Sequence, residues 1–221
     1  MTVNPLICVP SPRDIADFQN ALEKLSFDRF IVKYHREVVA YPRIREFFLS
    51  HTEYDTLIWF ADDLVVTAGG LERLLMQQSK HPQDVISGIC NFDQLNNRHK
   101  YCFRLIGDSG YYPIIDKIDE YFRQYHGKEK YPNSGLYLVE FNAFACVVVS
   151  REIVQKIPFR FSDYGTGVDQ NFCDDCRKEG IDLLVDINVR FEHLALRLGK
   201  PENFYVGLMQ PREDWWTRRV D

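Results

Sequence analysis

The chain has 221 residues, of which 45% are hydrophobic, 14% aromatic and 27% charged, a composition typical of a globular protein with one core. Its formal net charge of −5 excludes nucleic-acid binders that rely on clustered lysine and arginine, so a phosphate-bearing ligand needs a metal ion or a few placed cations. The apolar runs are shorter than the roughly 18 residues that cross a bilayer, and Met1–Pro10 lacks the parts of a secretion signal; we therefore expect a cytoplasmic protein without a transmembrane segment.

Short apolar runs alternate with amphipathic segments in the first half of the chain. Strands are predicted at Leu6–Val9, Phe30–Val32, Thr56–Ala61 and Val85–Ile89, and helices at Arg13–Leu25, Tyr41–Leu49 and Gly70–Gln78. This alternation predicts an α/β fold with a mostly parallel central sheet flanked by helices, whose ligands bind beyond the carboxyl ends of the strands. Polar or turn-forming residues lie at such ends: Pro10, Ser11, Lys33, Asp62 and Asp63.

The second half begins with a segment that interrupts this alternation of strands and helices. Asn91–Pro132 is polar and rich in tyrosine, and we interpret it as an insertion that lines a substrate pocket. The later elements predicted are a strand at Tyr137–Val149, helices at Glu152–Lys156 and Gln170–Glu179, and a strand at Asp182–Val185. The tail Leu196–Asp221 is expected to be mobile until it meets a ligand.

Asp62 and Asp63 give the strongest local signal, because they stand side by side at the end of an apolar strand. Two neighbouring carboxylates repel each other, and a divalent cation relieves that repulsion. Alternatively, one aspartate caps the following helix or turn and the other is solvated. The residues alone leave both interpretations open.

Asp169 follows a glycine-rich turn, Tyr164–Gly167, at the start of a predicted helix. Such an aspartate is an N-cap or a general base at the mouth of a cleft, and the local sequence favours the cap. His193 follows the last predicted strand, where a lone histidine is more often packed or exposed than a ligand. Cys173 and Cys176 form a C-x-x-C without a second pair, which favours two thiols on successive helical turns over a zinc site.

Taken in order, these features resemble the family 2-like glycosyltransferases of the GT-A fold over roughly residues 5 to 195. Five motifs carry the resemblance: a strand that ends in a D-x-D-like acidic motif lies at Thr56–Val66, and a Val-x-x-Gly strand lies at Val85–Gly88. A small-residue strand that ends in Arg-Glu lies at Asn142–Glu152. An E-D-x-x-F-C-like segment lies at Val168–Cys173, and a D-x-x-V-x-x-x-H pattern lies at Asp186–His193. Two positions depart from the family. Ala61 or Phe60 replaces the first acid of D-x-D, and Val168 replaces the acid before Asp169.

The resemblance implies a hexosyltransferase-type enzyme that uses a nucleotide-diphospho-sugar donor and a hydroxyl-bearing acceptor on a glycan, protein or lipid. It implies that Asp62 or Asp63, with His193, binds Mn²⁺ or Mg²⁺, and that Asp169 acts as the general base of an inverting reaction. Residues expected to contact the donor nucleotide or its phosphates are Pro10, Ser11, Lys33 and Arg43, with Arg197 and Lys200 closing over the diphosphate. Arg43 is equally well explained as a surface arginine of its helix.

The resemblance also implies one glycosyltransferase domain over 1–221. Residues 1–90 would form the nucleotide-sugar-binding half, 91–195 the acceptor and catalytic half, and 196–221 the C-terminal tail. Two other functions remain open: a nucleotidyltransferase, although Cys8–Arg13 lacks a glycine-rich phosphate loop, and a catalytically degenerate domain that binds sugar or nucleotide. The sequence identifies neither the sugar, the acceptor nor the oligomeric state.

Overall fold

The computed structural model describes residues 3–11, 15–33, 35, 37–65, 67–95, 98–101, 103–104, 114–115, 120, 122, 129–161 and 167–194. The elements of the first half are β1 Pro5–Ser11, α1 Ala16–Glu23, β2 Asp28–Lys33, α2 Glu37–Ser50, β3 Thr56–Phe60, β4 Leu64–Val65, α3 Ala68–Lys80 and β5 Val85–Leu95. Those of the second half are β6 Arg98–Tyr101, β7 Phe103–Arg104, β8 Ile114–Ile115, β9 Leu136–Val139, β10 Phe141–Asn142, β11 Cys146–Ser150, α4 Arg151–Lys156, α5 Val168–Lys178 and β12 Leu183–His193.

The main sheet has the strand order β2-β1-β3-β11-β5-β12-β4. Strand β1 pairs in parallel with β2 and β3, and β5 pairs in parallel with β12, while β11 is antiparallel to both β3 and β5. Strands β1, β2, β3, β5 and β12 therefore run in one direction, and their carboxyl ends meet at one edge, which we call the C-terminal edge. The predicted α/β class is confirmed, but the sheet is mixed rather than mostly parallel, because three pairings along this strand order are parallel and three are antiparallel.

The central strands are apolar because both faces of the sheet are covered. All residues of β3 and β11 are buried, and alternate side chains of one strand enter opposite cores. Leu57 and Trp59 pack with α2, α4 and α5, whereas Ile58 and Phe60 pack with α1 and α3. Among the described residues, no helix is both long enough and apolar enough to span a membrane.

The predicted single strand at Tyr137–Val149 is wrong. The segment forms three strands with different partners: β9 pairs with β12, β10 with β7, and β11 with β3 and β5. The break before β11 is a tight turn in which the Ala145 N–H donates to the Ala143 carbonyl at 2.7 Å. Periodicity did not reveal this turn, because alanine and phenylalanine continue the apolar run through it.

Several predicted boundaries also shift. Strand β12 continues past the predicted end at Val185 to His193, with a bulge between Asp186 and Arg190. Opposite the bulge only glycine fits at position 88, because a Cβ atom there would lie 2.4 Å from the Phe191 ring. Strand β5 likewise runs beyond Asn91 and pairs with β6. The remainder of the predicted insertion lies largely outside the described residues, as does the tail Leu196–Asp221.

Candidate functional site at the C-terminal edge

Asp62 and Asp63 lie in the turn that follows β3, and both side chains are buried, with 2% and 6% of their surface exposed. The next helix, α3, is capped by Thr67, whose hydroxyl accepts a hydrogen bond from the Gly70 N–H at 3.1 Å. Neither aspartate is thus the cap of α3, and neither is solvated, so that alternative interpretation is wrong. Two buried acids beside each other need nearby compensation for their charge.

Asp63 contacts His193, which lies far away in the sequence. The His193 Nε2 and Asp63 Oδ2 atoms are 3.4 Å apart. This contact depends on the short strand β4, which pairs with the end of β12, and on the Leu194 N–H, which donates to the Asp63 carbonyl at 2.9 Å. A carboxylate and an imidazole are ligand types that Mn²⁺ accepts, so the donor atoms present fit such an ion.

The charge of Asp62 also acts on the buried Tyr41 of α2. Burial raises the pKa of the Tyr41 phenol well above its usual range. Three carboxylates raise this pKa further through their negative charge: Glu37, Asp169 and Asp62. The charges of acids from α2, from α5 and from the turn after β3 therefore all act on one ring at the C-terminal edge.

Asp169 is the second residue of α5. The N-cap is Gly167, which has a φ of 72°, so the N-cap interpretation of Asp169 is wrong. The half-buried Asp169 carboxylate accepts a hydrogen bond from the Gln170 N–H at 2.8 Å. Burial raises the pKa of this carboxyl, and the hydrogen bonds from the Gln170 and Asp169 N–H groups oppose the shift. A carboxylate with a raised pKa is better suited to accept a proton than an exposed one.

Beneath these acids lies a cluster of packed aromatic rings. Ring centroids are 4.0 Å apart for Tyr41 and Trp59, 5.3 Å for Trp59 and Phe144, and 5.1 Å for Phe144 and Phe172. These rings belong to α2, β3, the turn before β11 and α5. Aromatic packing therefore holds the helix that carries Asp169 against the strand that leads to Asp62.

The predicted nucleotide-contacting residues that the structure describes lie at the same edge. Pro10 and Ser11 are buried at the end of β1, beside the end of β2, where Lys33 is exposed. Arg43 lies half-buried on α2, and its Nη1 atom is 3.2 Å from His35 Nε2. Arg197 and Lys200 lie outside the described residues.

His35 is a polar residue at this edge that the sequence analysis missed. A guanidinium only donates hydrogen bonds, so His35 Nε2 accepts and the ring is the neutral Nδ1–H tautomer. Burial, with the charge of Arg43, lowers the pKa of His35, which agrees with a neutral ring. Its position just after the β2 strand was the available signal.

Within the part of the chain that the structure describes, no group of three or more histidine, cysteine, aspartate or glutamate side chains is arranged to hold a metal ion. A metal at Asp63 and His193 would therefore take further ligands from a bound substrate or from water. Cys173 and Cys176 are buried free thiols on successive turns of α5, as predicted. Burial raises the pKa of Cys173 to about 12, so this thiol stays protonated.

No protein-family model matches the chain, and no curated protein matches it. Among solved structures, the chain is similar to A197 from STIV, with a TM-score of 0.60 and 17% identity over 86% of this chain and 85% of that chain. It is also similar to GalNAc-T7 with UDP, GalNAc and Mn²⁺, with a TM-score of 0.57 and 12% identity. The fold is GT-A-like. The similarity to GalNAc-T7 covers 86% of this chain but 43% of GalNAc-T7. At these identities, a similarity to solved structures shows the fold alone. Membership of family 2 stays a prediction.

Proposed function

We propose that the chain is a metal-dependent glycosyltransferase that moves a sugar from a nucleotide-diphosphate donor to an acceptor hydroxyl. The contact of Asp63 with His193 carries this proposal, because it places two metal-ligand types at the edge where a sheet of this kind binds its ligands. The solved GT-A-like neighbour contains UDP, GalNAc and Mn²⁺, which makes a nucleotide sugar and manganese the first ligands to test.

In this proposal Asp63 and His193 hold Mn²⁺ or Mg²⁺, with Asp62 beside them. The ion would act as a Lewis acid that stabilises negative charge on the departing nucleoside diphosphate. The protein's part is to keep both acids buried, so that their charge acts in a medium of lower polarity than water. Pro10, Ser11, Lys33 and Arg43 would contact the base, ribose and phosphates, which assigns nucleotide-sugar binding to residues 1–90.

Asp169 takes the acceptor hydroxyl proton in the proposed reaction. The acceptor oxygen forms a bond to the anomeric carbon, the bond from that carbon to the diphosphate breaks, and the proton ends on the Asp169 carboxylate. Attack from the face opposite the diphosphate inverts the anomeric carbon, and we propose that outcome here. Residues 91–195 would supply the acceptor side of the site.

A second candidate function is a catalytically degenerate domain that binds sugar or nucleotide without turnover. Two observations favour it: the described residues supply no three-ligand metal group, and Ala61 or Phe60 replaces an acid of the D-x-D motif. Such a domain would bind a nucleotide sugar and release neither sugar nor nucleoside diphosphate.

Calorimetry with UDP in the presence and absence of Mn²⁺, followed by an assay of UDP-GalNAc hydrolysis and transfer, tests both candidates. We expect Mn²⁺-dependent UDP binding that falls tenfold or more, roughly the value of one lost charged contact, in Asp62→Asn/Asp63→Asn. Asp28→Asn, an exposed acid at the opposite end of β2, is the control and keeps the affinity. Binding without release of UDP or sugar supports the degenerate domain. Binding of UDP that neither Mn²⁺ nor the double variant affects shows that the proposed metal site is wrong.

A further inference from the structure

Arg43 is a half-buried cation whose hydrogen-bond partner is a neutral ring and not an acid. Its Nη1 atom lies 3.2 Å from His35 Nε2. Among the described residues, no carboxylate pairs with Arg43, whereas Arg73, Arg160 and Arg177 each pair with an aspartate or a glutamate. The positive charge of Arg43 is therefore not compensated within the described part of the chain.

The contact with His35 shows in which direction the Arg43 side chain extends. His35 lies between the end of β2 and the start of α2, which places it at the C-terminal edge. Side chains of a helix lean towards its N-terminus, and Arg43, in the second turn of α2, reaches back in this way to His35. Lys33, the exposed last residue of β2, adds a second positive charge at the same strand end.

His35 restrains the Arg43 guanidinium without neutralising it. An arginine has five N–H donors, so the hydrogen bond to His35 leaves four for a ligand. Burial and the charge of Arg43 lower the pKa of His35, which favours the neutral ring that can accept this hydrogen bond. A guanidinium that is already oriented loses less conformational freedom when it binds a phosphate, whose oxygens match its fork of donors.

We propose that Arg43 binds the diphosphate of the nucleotide-sugar donor and that His35 is a positioning residue that holds the guanidinium for this contact. This inference rests on the proposed glycosyltransferase function and assigns the phosphate contact of its donor site. The recognised group is the diphosphate and not the base or the ribose. Affinity for UDP should therefore depend on the pair of Arg43 and His35, while contact with uridine should not involve it.

Calorimetry with UDP and Mn²⁺ tests this assignment. Arg43→Met should lower the affinity about tenfold or more, the value of one charged hydrogen bond. His35→Leu should lower it roughly three- to tenfold, the range for one neutral hydrogen bond, and His35→Gln should restore most of the loss because its side-chain oxygen can accept from Arg43. Lys24→Met removes an exposed positive charge at the end of α1, at the opposite edge, and is the control that keeps the affinity.

The double variant His35→Leu/Arg43→Met shows whether His35 acts through Arg43. If it does, the double variant binds UDP no more weakly than Arg43→Met alone. A further loss in the double variant, or a His35→Gln variant as weak as His35→Leu, overturns the positioning role. Unchanged affinity in Arg43→Met, with Mn²⁺-dependent UDP binding in the unmodified chain, overturns the inference and leaves the proposed function standing. If the unmodified chain does not bind UDP, the proposed function has failed and the inference fails with it.

A measurement on the unmodified chain keeps the test decisive if the variants do not fold. The NMR signals of the Arg43 side-chain N–H groups should shift when UDP is added with Mg²⁺, which is diamagnetic, and should stay in place when uridine is added. Signals that move with neither ligand, or equally with both, show that Arg43 does not bind the phosphates and overturn the proposal.

Discussion

The environment of Asp169 differs from that of a surface aspartate. It lies half-buried in the first turn of α5, where burial raises the pKa of its carboxyl. An aspartate in water has a pKa of about 3.9. A general base works only when it is deprotonated. As the pH falls, an enzyme that uses a carboxylate with a raised pKa therefore loses activity at a higher pH than one that uses an exposed aspartate.

We therefore predict that kcat/KM for sugar transfer rises with pH through the pKa of Asp169, above about pH 4, and then levels off. Asp169→Asn should lower transfer by about 10²- to 10⁴-fold, the usual contribution of a general base, while UDP affinity changes little. Steady-state kinetics across pH, with calorimetry at one pH, provide both measurements. Asp174→Asn, an acid further along the same helix, is the control. Transfer that is unchanged in Asp169→Asn would remove this residue from the base role.

Individual site residues were predictable only where their position in a strand revealed them. Asp62 and Asp63 follow an apolar run, and that pattern correctly indicated a strand end. The contact between Asp63 and His193 was not predictable from residue types, since it depends on β4 pairing with the last residues of β12.

Among the elements, α3 and β12 are joined by an ion pair whose acidic partner is buried and whose basic partner is partly exposed. Asp186 is fully buried and accepts hydrogen bonds from Arg73 Nε at 2.8 Å and Arg73 Nη2 at 3.2 Å. The Asn188 N–H also donates to it at 2.9 Å, and Arg73 Nη2 donates to the Ser134 carbonyl at 2.7 Å. This arrangement holds β12 just before the bulge, upstream of His193.

Arg73→Met should destabilise the fold by about 3 kcal/mol or more, because it leaves the Asp186 carboxylate buried without its cation. Arg73→Lys, which keeps the charge and loses the fork of two donors, should cost less. Asp186→Asn combined with Arg73→Met should be more stable than Arg73→Met alone. Urea unfolding of the four proteins, including the unmodified chain, gives the free energies. Equal destabilisation by Met and Lys would show that the charge of Arg73 does not compensate Asp186.

Elements were predicted better than their ends. The repeated strand and helix pattern of the first half is confirmed. The Tyr137–Val149 segment was mispredicted as one strand because hydrophobicity does not encode pairing partners, and β9, β10 and β11 each pair elsewhere. The length of β12 was underestimated because Asp186 and Asn188, polar residues within it, look like a strand end.

At the scale of the whole molecule, the edge opposite the candidate site has its own polar network. Asp84, just before β5, is 3% exposed and accepts a hydrogen bond from the Tyr131 hydroxyl at 2.6 Å. The Gln83 amide donates to the same hydroxyl at 2.9 Å, and Lys130 pairs with Asp182. Burial and the Asp84 carboxylate raise the pKa of Tyr131 to about 12, so the phenol remains a donor at neutral pH. These hydrogen bonds and this ion pair link the chain segments at the starts of β5 and β12.

The pH dependence of global stability should contain a contribution from Asp84. Burial raises its pKa in the folded chain, while the hydrogen bond from Tyr131 opposes the shift. A raised folded-state pKa means that stability from this group is fully present below the unfolded value, about pH 3.9, and is lost as pH rises through the folded pKa. Asp84→Asn stays neutral and can still accept from Tyr131, so its free energy of unfolding relative to the unmodified chain should increase between pH 4 and pH 7. We expect a change on the order of 1 kcal/mol, the usual scale of a single substitution. Urea unfolding at both pH values measures this change in the free energy of unfolding, and the exposed Glu72→Gln is the control. If the stability of Asp84→Asn relative to the unmodified chain falls over this interval, folding lowers the pKa of Asp84.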